Sequence, residues 1–135
     1  MDQRKTFDVL VVGLGPAGAC AARSAAQAGR SVLAIDRKQA AGIPVQCAEF
    51  VPTMLSPTID AVSAARCQTI QGMLTFVENE PPDHKSNFPG VMVDRAQFDQ
   101  HLVAKAFDAG VECRFNTVVT TVDTEGSVYL GSGEV

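Results

Sequence analysis

The sequence lacks an excess of basic residues. Lys and Arg together number 11 against 15 Asp and Glu, so the net charge is -4 with neutral histidines. Proteins that grip phosphate backbones or anionic membranes carry a basic patch or run, and none is present here. Nucleic acid is therefore not expected as a partner. The hydrophobic fraction of 46% over 135 residues indicates one folded domain of modest size and not a disordered chain.

The sequence also lacks the cysteine spacings of metal sites and disulfide frameworks. Cys20, Cys47, Cys67 and Cys113 form no C-x-x-C pair, which favours reduced thiols, a cytoplasmic location and no metal. Long apolar runs are missing too. The longest uncharged stretch, residues 9–22, is too short to span a membrane, and its glycines argue against a secretory signal.

The first 36 residues predict a strand, a helix and a second strand. Residues 7–12 predict a strand, in which residues 9–12 are continuously apolar, as in a strand buried on both faces of a parallel sheet. Residues 16–28 form a helix that stops at Gly29, and residues 32–35 form the next strand. A parallel βαβ unit results. The helical period places five small residues on the inner face: Ala17, Ala21, Ser24, Ala25 and Ala28.

The remaining residues predict a second helix and several strands. Residues 39–57 are rich in proline and are expected to be irregular, with a short helix after Pro57. Asp94 and Gln97 form a capping box ahead of a helix that ends at Gly110. Strands are expected at residues 67–77, 91–93, 111–115, 118–122 and 128–130, with a turn at residues 81–83.

Three glycines between the first strand and the first helix carry the chemistry. Gly13, Gly15 and Gly18 form G-x-G-x-x-G, and Asp36 stands at the end of the next strand. In such a fingerprint the first glycine makes the tight turn, the second lets a pyrophosphate approach, and the third packs the helix. The acid accepts hydrogen bonds from the adenosine ribose. The pattern predicts a dinucleotide site.

The residues leave the identity of the dinucleotide open between NAD and FAD. Asp36 disfavours a 2'-phosphate and hence NADP, although Arg37 beside it keeps that question open. The turn includes Pro16 and Ala17 and reads G-L-G-P-A-G over residues 13–18. It resembles the flavoprotein form of the fingerprint, which favours FAD.

Two further segments resemble the geranylgeranyl reductase family of flavoproteins. Residues 42–49, G-I-P-V-Q-C-A-E, resemble its P-V-R-C-G-E segment, and residues 94–99, D-R-A-Q-F-D, resemble its D-R-x-x-F-D. The resemblance implies an FAD-dependent oxidoreductase that reduces carbon-carbon double bonds of isoprenoid chains. NAD(P)H or another reductant would reduce the FAD. Gln46 and the A-E-F at residues 48–50 depart from the family's R and G-E-G.

The resemblance also implies roles for individual residues. The pyrophosphate would be held at the turn, and Asp36 with Arg37 would lie at the ribose. Cys47, as the catalytic candidate, and Ala48 would lie beside the flavin. Arg95 would contact the cofactor and Val119 would meet the adenine through its backbone. The residues assigned to the pyrophosphate are Gly13, Gly15, Pro16, Ala17 and Gly18.

Simpler interpretations of these residues stay open. Cys47 can equally be an inert small hydrophobe, because buried unpaired cysteine is common. Asp94 and Asp99 are most simply a helix cap and a surface charge.

The resemblance predicts an α/β fold: a Rossmann-like FAD-binding domain with a parallel sheet, plus part of a second, β-rich substrate region. Residues 1–66 would form the βαβ unit and cofactor loop, 67–93 a β-rich excursion, and 94–135 a return helix and strands, truncated at the end. The expected partner is a prenyl or other isoprenoid substrate, with peripheral membrane contact through that lipid. A flavin monooxygenase, a flavoprotein-quinone electron-transfer enzyme and an inactive FAD-binding fragment remain alternatives.

Overall fold

A computed structural model describes residues 5–55 and 60–132. The predicted start of the helix after Pro57 and the last three residues lie outside this range. The described elements are β1 Val9–Val12, α1 Pro16–Gln27, β2 Val32–Ile35, β3 Phe50–Pro52, α2 Asp60–Ala64, β4 Arg66–Ile70, β5 Met73–Thr75, β6 Asp83–Lys85, β7 Gly90–Val93, α3 Arg95–Asp108, β8 Glu112–Arg114, β9 Thr117–Val122 and β10 Val128–Ser132. None of the described helices is long and apolar enough to cross a membrane.

The chain divides into two compact units. Unit 1 comprises Met1–Pro44 and Asp99–Val135, and unit 2 comprises Val45–Phe98. The finer predicted division at residues 66 and 93 stays a prediction. We describe each unit by itself.

A parallel sheet in the order β1-β2-β8 forms the centre of unit 1. Val9 pairs with Val32 and Leu33 with Glu112, so the predicted parallel βαβ unit is confirmed. All of β2 is buried, whereas β1 is only partly buried and Val12 is 64% exposed. The prediction that β1 is buried on both faces is therefore wrong for the described residues, in which β1 also lies at the edge of the sheet.

Helix α1 has the predicted ends but a different buried face. Pro16 begins it, and Gly29 follows it with φ +78°. Ala19 and Ala22 are the buried residues of α1, while Ala17, Ala21, Ser24 and Ala28 of the predicted inner face are exposed. Alanines occur on every side of this helix, so hydrophobicity could not fix its rotation about its axis.

The second half of unit 1 follows the predicted pattern closely. In α3, the predicted apolar residues Leu102 and Ala106 are buried. β9 and β10 form an antiparallel hairpin. The Asp123 carboxylate holds its turn by accepting hydrogen bonds from Ser127 N at 2.8 Å and Glu125 N at 3.0 Å.

Unit 2 contains antiparallel sheets in the orders β3-β7-β4 and β5-β6. The sequence predicted neither β3, inside the proline-rich stretch, nor β6, directly after the Pro81–Pro82 turn. The single strand expected over residues 67–77 is broken into β4 and β5. Phe50 of β3 stacks on Phe88 with ring centroids 5.2 Å apart, and β3 pairs with β7, so both contacts of this strand are with residues distant in sequence.

Candidate functional site

The turn between β1 and α1 needs two of its three glycines for its own geometry. Gly13 has φ +100°, a conformation that side chains rarely adopt, and its N–H donates to the carbonyl oxygen of Ile35 at 2.7 Å. A Cβ on Gly18 would overlap the carbonyl oxygen of Gly13. Gly13 is therefore required for the turn and Gly18 for the close approach of the helix.

Gly15 is required for neither purpose. Its φ is -73°, which any residue can adopt, and a Cβ built on it meets no atom within 4 Å. That Cβ would point into open space in front of the turn. The structure therefore leaves room at Gly15 for a group that must approach the backbone closely, as the pyrophosphate of FAD would.

The N-terminus of α1 is suited to an anion. Gly15 is its N-cap and supplies no side-chain hydrogen bond, and the first turn contains no acidic residue. The first N–H groups of a helix lack intrahelical partners and carry partial positive charge. Pro16 and exposed Ala17 in this first turn add no competing acceptor. The residues present thus fit a bound diphosphate.

Asp36 has a structural task that the sequence did not reveal. Its Oδ2 accepts a hydrogen bond from Leu14 N at 2.8 Å, and its Oδ1 accepts one from Lys38 N at 2.9 Å. The carboxylate therefore fastens the glycine turn to the end of β2. An ionised carboxylate has about four acceptor positions, so capacity for the ribose hydroxyls remains. Arg37 is exposed beside it.

Val119 lies two residues into β9 from its start at Thr117. Thr117 N donates to the carbonyl oxygen of Asp36 at 3.0 Å, so this strand starts directly beside Asp36. Val119 is half-buried and pairs with Leu130 of β10. Its contact with the adenine stays a prediction.

Unit 2 brings Cys47 and Arg95 together through Glu49. Cys47 and Ala48 are exposed, and the Cys47 Sγ accepts a hydrogen bond from Glu49 N at 3.4 Å. The Glu49 carboxylate accepts one from Arg95 N at 3.2 Å. Glu49 is separated from Arg95 by 46 positions, so no local spacing could have identified it.

The start of α3 differs from that of α1 because it is capped by side chains. Asp94 Oδ1 accepts a hydrogen bond from Gln97 N at 2.9 Å, which confirms Asp94 as the N-cap. Hydrogen bonds from the Gln97 backbone and side chain lower the pKa of Asp94. Asp99 is only 5% exposed, so the interpretation of Asp99 as a surface charge is wrong. It shares the buried side of the helix with Phe98 and Leu102.

Comparison with known proteins agrees with this geometry. Residues 8–132 match the family described as FAD dependent oxidoreductase. A digeranylgeranylglycerophospholipid reductase of Methanoculleus marisnigri is 34% identical over 96% of this chain and 34% of its own length. An uncharacterized protein in the nifH2 5' region of Methanosarcina barkeri is 36% identical over 95% of this chain and 74% of its own. The chain thus spans about a third of the reductase.

Solved structures share the fold. A geranylgeranyl bacteriochlorophyll reductase-like protein from Thermoplasma acidophilum superposes with a TM-score of 0.77 at 32% identity, covering 92% of this chain and 34% of that one. Halogenase PltM in complex with phloroglucinol and FAD gives a TM-score of 0.69 at 20% identity, over 94% and 32% of the two chains, and shows the fold alone. The α/β, Rossmann-like FAD-binding fold is therefore confirmed, and the chain belongs to the FAD dependent oxidoreductase family.

Proposed function

We propose that the chain is the cofactor-binding part of an FAD-dependent reductase that saturates carbon-carbon double bonds of isoprenoid chains. The observation that carries the cofactor part is Gly15, the one glycine of the fingerprint that neither backbone conformation nor packing requires. The reductase names of the relatives support the reaction.

The chain's own residues would hold the cofactor in place. The open N-terminus of α1 would donate its N–H groups to the diphosphate, and Asp36 would bind the adenosine ribose. Val119 would meet the adenine, while Cys47, Ala48 and Arg95 would lie at the flavin. Reduced FAD, when bound, supplies the hydride, and NAD(P)H or another reductant is the proposed electron donor.

Exposed apolar side chains in unit 2 support an isoprenoid substrate. Leu74 is 52% exposed, Phe76 72% and Val77 55%, all within or directly after β5. Single exposed hydrophobic residues are common on protein surfaces, but here three lie within four positions of one segment. A prenyl chain, which offers only apolar surface, would bury such side chains on contact.

The alternative within the same fold is an FAD-binding fragment without turnover. The chain spans only 34% of the M. marisnigri reductase, so two thirds of that relative has no counterpart among these residues. A monooxygenase, or an enzyme that passes electrons to quinone, would bind the FAD diphosphate at the same site but would use the reduced flavin for a different reaction.

Gly15→Ala tests the cofactor assignment. Because the added methyl meets no protein atom, we expect only the small loss of melting temperature that alanine causes at an N-cap, whereas FAD affinity should fall at least about tenfold through collision with the diphosphate. Fluorescence quenching of FAD measures the affinity. Ser24→Ala, on the exposed face of the same helix, is the control. Equal FAD affinity in Gly15→Ala and the wild type would contradict the site.

A product assay separates the reaction classes. Reduction of a prenyl substrate without oxygen uptake supports the reductase, and oxygen-dependent hydroxylation contradicts it. FAD binding without any turnover by this chain supports the fragment.

A further inference from the structure

We propose that Glu49 is a positioning residue that holds Cys47 and Arg95 in one rigid arrangement toward the flavin. This inference rests on the proposed FAD function, because the flavin roles of Cys47 and Arg95 do so. The contacts of Glu49 are all within unit 2 and do not depend on the cofactor.

Three hydrogen bonds converge on Glu49. Its backbone N–H donates to the Cys47 Sγ at 3.4 Å, and its backbone carbonyl accepts from Val93 N at 2.9 Å. Its side-chain Oε1 accepts from Arg95 N at 3.2 Å. One residue thus connects the cysteine segment, the end of β7 and the first residue of α3.

The backbone of Glu49 is held in a conformation that a glutamate disfavours. Its φ is +60°, the left-handed region in which glycine is the usual residue. Strain of this kind persists only where surrounding contacts fix it, and it concentrates at functional sites. Glycine would satisfy the turn and the bond to Val93 equally well. The carboxylate is the part that only glutamate supplies here, and its partner is the start of the Arg95 segment.

The carboxylate also decides what the start of α3 can bind. Asp94 takes the N–H of Gln97, and Glu49 takes the N–H of Arg95. With those two donors engaged, the backbone N–H groups of Arg95 and Gln97 are not available to a ligand. The guanidinium carbon lies 6.0 Å from the ring centroid of Phe98, a contact that limits the freedom of the side chain. Glu49 therefore sets the position from which Arg95 acts.

The test compares Glu49→Gly, which removes the carboxylate and relieves the backbone, with Glu49→Gln, which keeps an acceptor oxygen in place. Glu78→Gly is the matched control, because Glu78 also has positive φ, +28°, and lies outside this cluster. Hydrogen exchange of the Arg95 amide and the alkylation rate of Cys47, mapped by mass spectrometry, are read on the protein without FAD. FAD affinity is read separately by fluorescence quenching.

We expect Glu49→Gly to speed Arg95 exchange at least tenfold, to change Cys47 alkylation by a factor of two or more, and to weaken FAD binding about tenfold. Glu49→Gln should restore most of each, and Glu78→Gly should change none. Unchanged Arg95 exchange and FAD affinity in Glu49→Gly would overturn the proposal. If the wild type bound no FAD while Glu49→Gly still altered Arg95 and Cys47, the proposed function and the role of Glu49 at the flavin would both fail, and only the link of Glu49 to Cys47 and Arg95 would stand.

Discussion

Asp36 offers the sharpest test of the proposed cofactor site, because its carboxylate serves the fold and is also the proposed partner of the ribose. It accepts hydrogen bonds from the Leu14 and Lys38 backbones at 2.8 and 2.9 Å. Bonds to an ionised acceptor contribute about 1.5 to 3 kcal/mol each. Asp36→Asn keeps one oxygen and faces the other donor with an NH₂ group. We therefore expect a loss of about 2 to 3 kcal/mol in the free energy of unfolding without any FAD.

A fall in FAD affinity in this variant would therefore not identify the ribose contact by itself. A double-mutant cycle does so, with FAD and its analogue lacking the adenosine 2'-hydroxyl titrated against wild type and Asp36→Asn. A direct carboxylate–hydroxyl bond predicts a coupling free energy of about 1 to 3 kcal/mol, or about 5- to 150-fold in affinity. Ligand fluorescence at fixed salt measures all four affinities.

Asp8→Asn is the matched control for this cycle. Asp8 also accepts two hydrogen bonds, from Ser31 N at 2.8 Å and Ser31 Oγ at 2.7 Å, but precedes β1 at the end opposite the glycine turn. It should destabilise the fold and leave FAD affinity unchanged. A coupling below about 0.5 kcal/mol for Asp36, within the error of independent sites, would refute direct ribose binding.

Gly18→Ala should lower the free energy of unfolding by about 1 to 3 kcal/mol, because the added Cβ would overlap the carbonyl oxygen of Gly13. Urea titration measures this loss, and a stability equal to wild type would contradict the close packing of α1. Hydrogen bonds, first from the Ser127 backbone, lower the pKa of Asp123. The ionised Asp123 side chain should therefore stabilise the fold above about pH 4, and this stabilisation should be lost as the pH falls through the lowered pKa. The melting temperatures of wild type and Asp123→Asn should therefore converge on acidification. Burial raises the pKa of the Cys113 thiol, so at pH 8 it should alkylate more slowly than exposed Cys20 in the folded protein and equally fast in denaturant, as mass spectrometry can measure.

The elements that the sequence predicted well are those whose signals are local. The glycine turn, Pro16 at the start of α1 and the Asp94 cap of α3 are each defined within a few positions. Conformation at Gly13 and capping at Asp94 depend on adjacent backbone, so spacing is enough to find them.

The elements that the sequence missed depend on distant partners. β3 is a strand because Phe50 and Val51 pair with β7 some 40 positions later, and proline-rich sequence gave no sign of that pairing. α1 approaches the turn so closely at Gly18 that a Cβ there would overlap the Gly13 carbonyl oxygen, and its alanines carry no facial contrast from which its rotation could be predicted. Asp99 is likewise buried by the packing around α3, whereas its charge alone led to the prediction of a solvent-exposed side chain.

The N-termini of the two longer helices differ in how well they suit the proposed diphosphate. α3 begins with a cation, Arg95, whereas α1 begins at the glycine turn to which the sequence assigns the pyrophosphate and has no cation in its first turn. Asp94 and Glu49 already place carboxylates on the N–H groups of α3, and a diphosphate there would meet like charge. α1 has no acid and no side-chain cap, so its partial positive charge remains available. We therefore expect the diphosphate at α1, the helix whose N-terminus lacks carboxylates of its own.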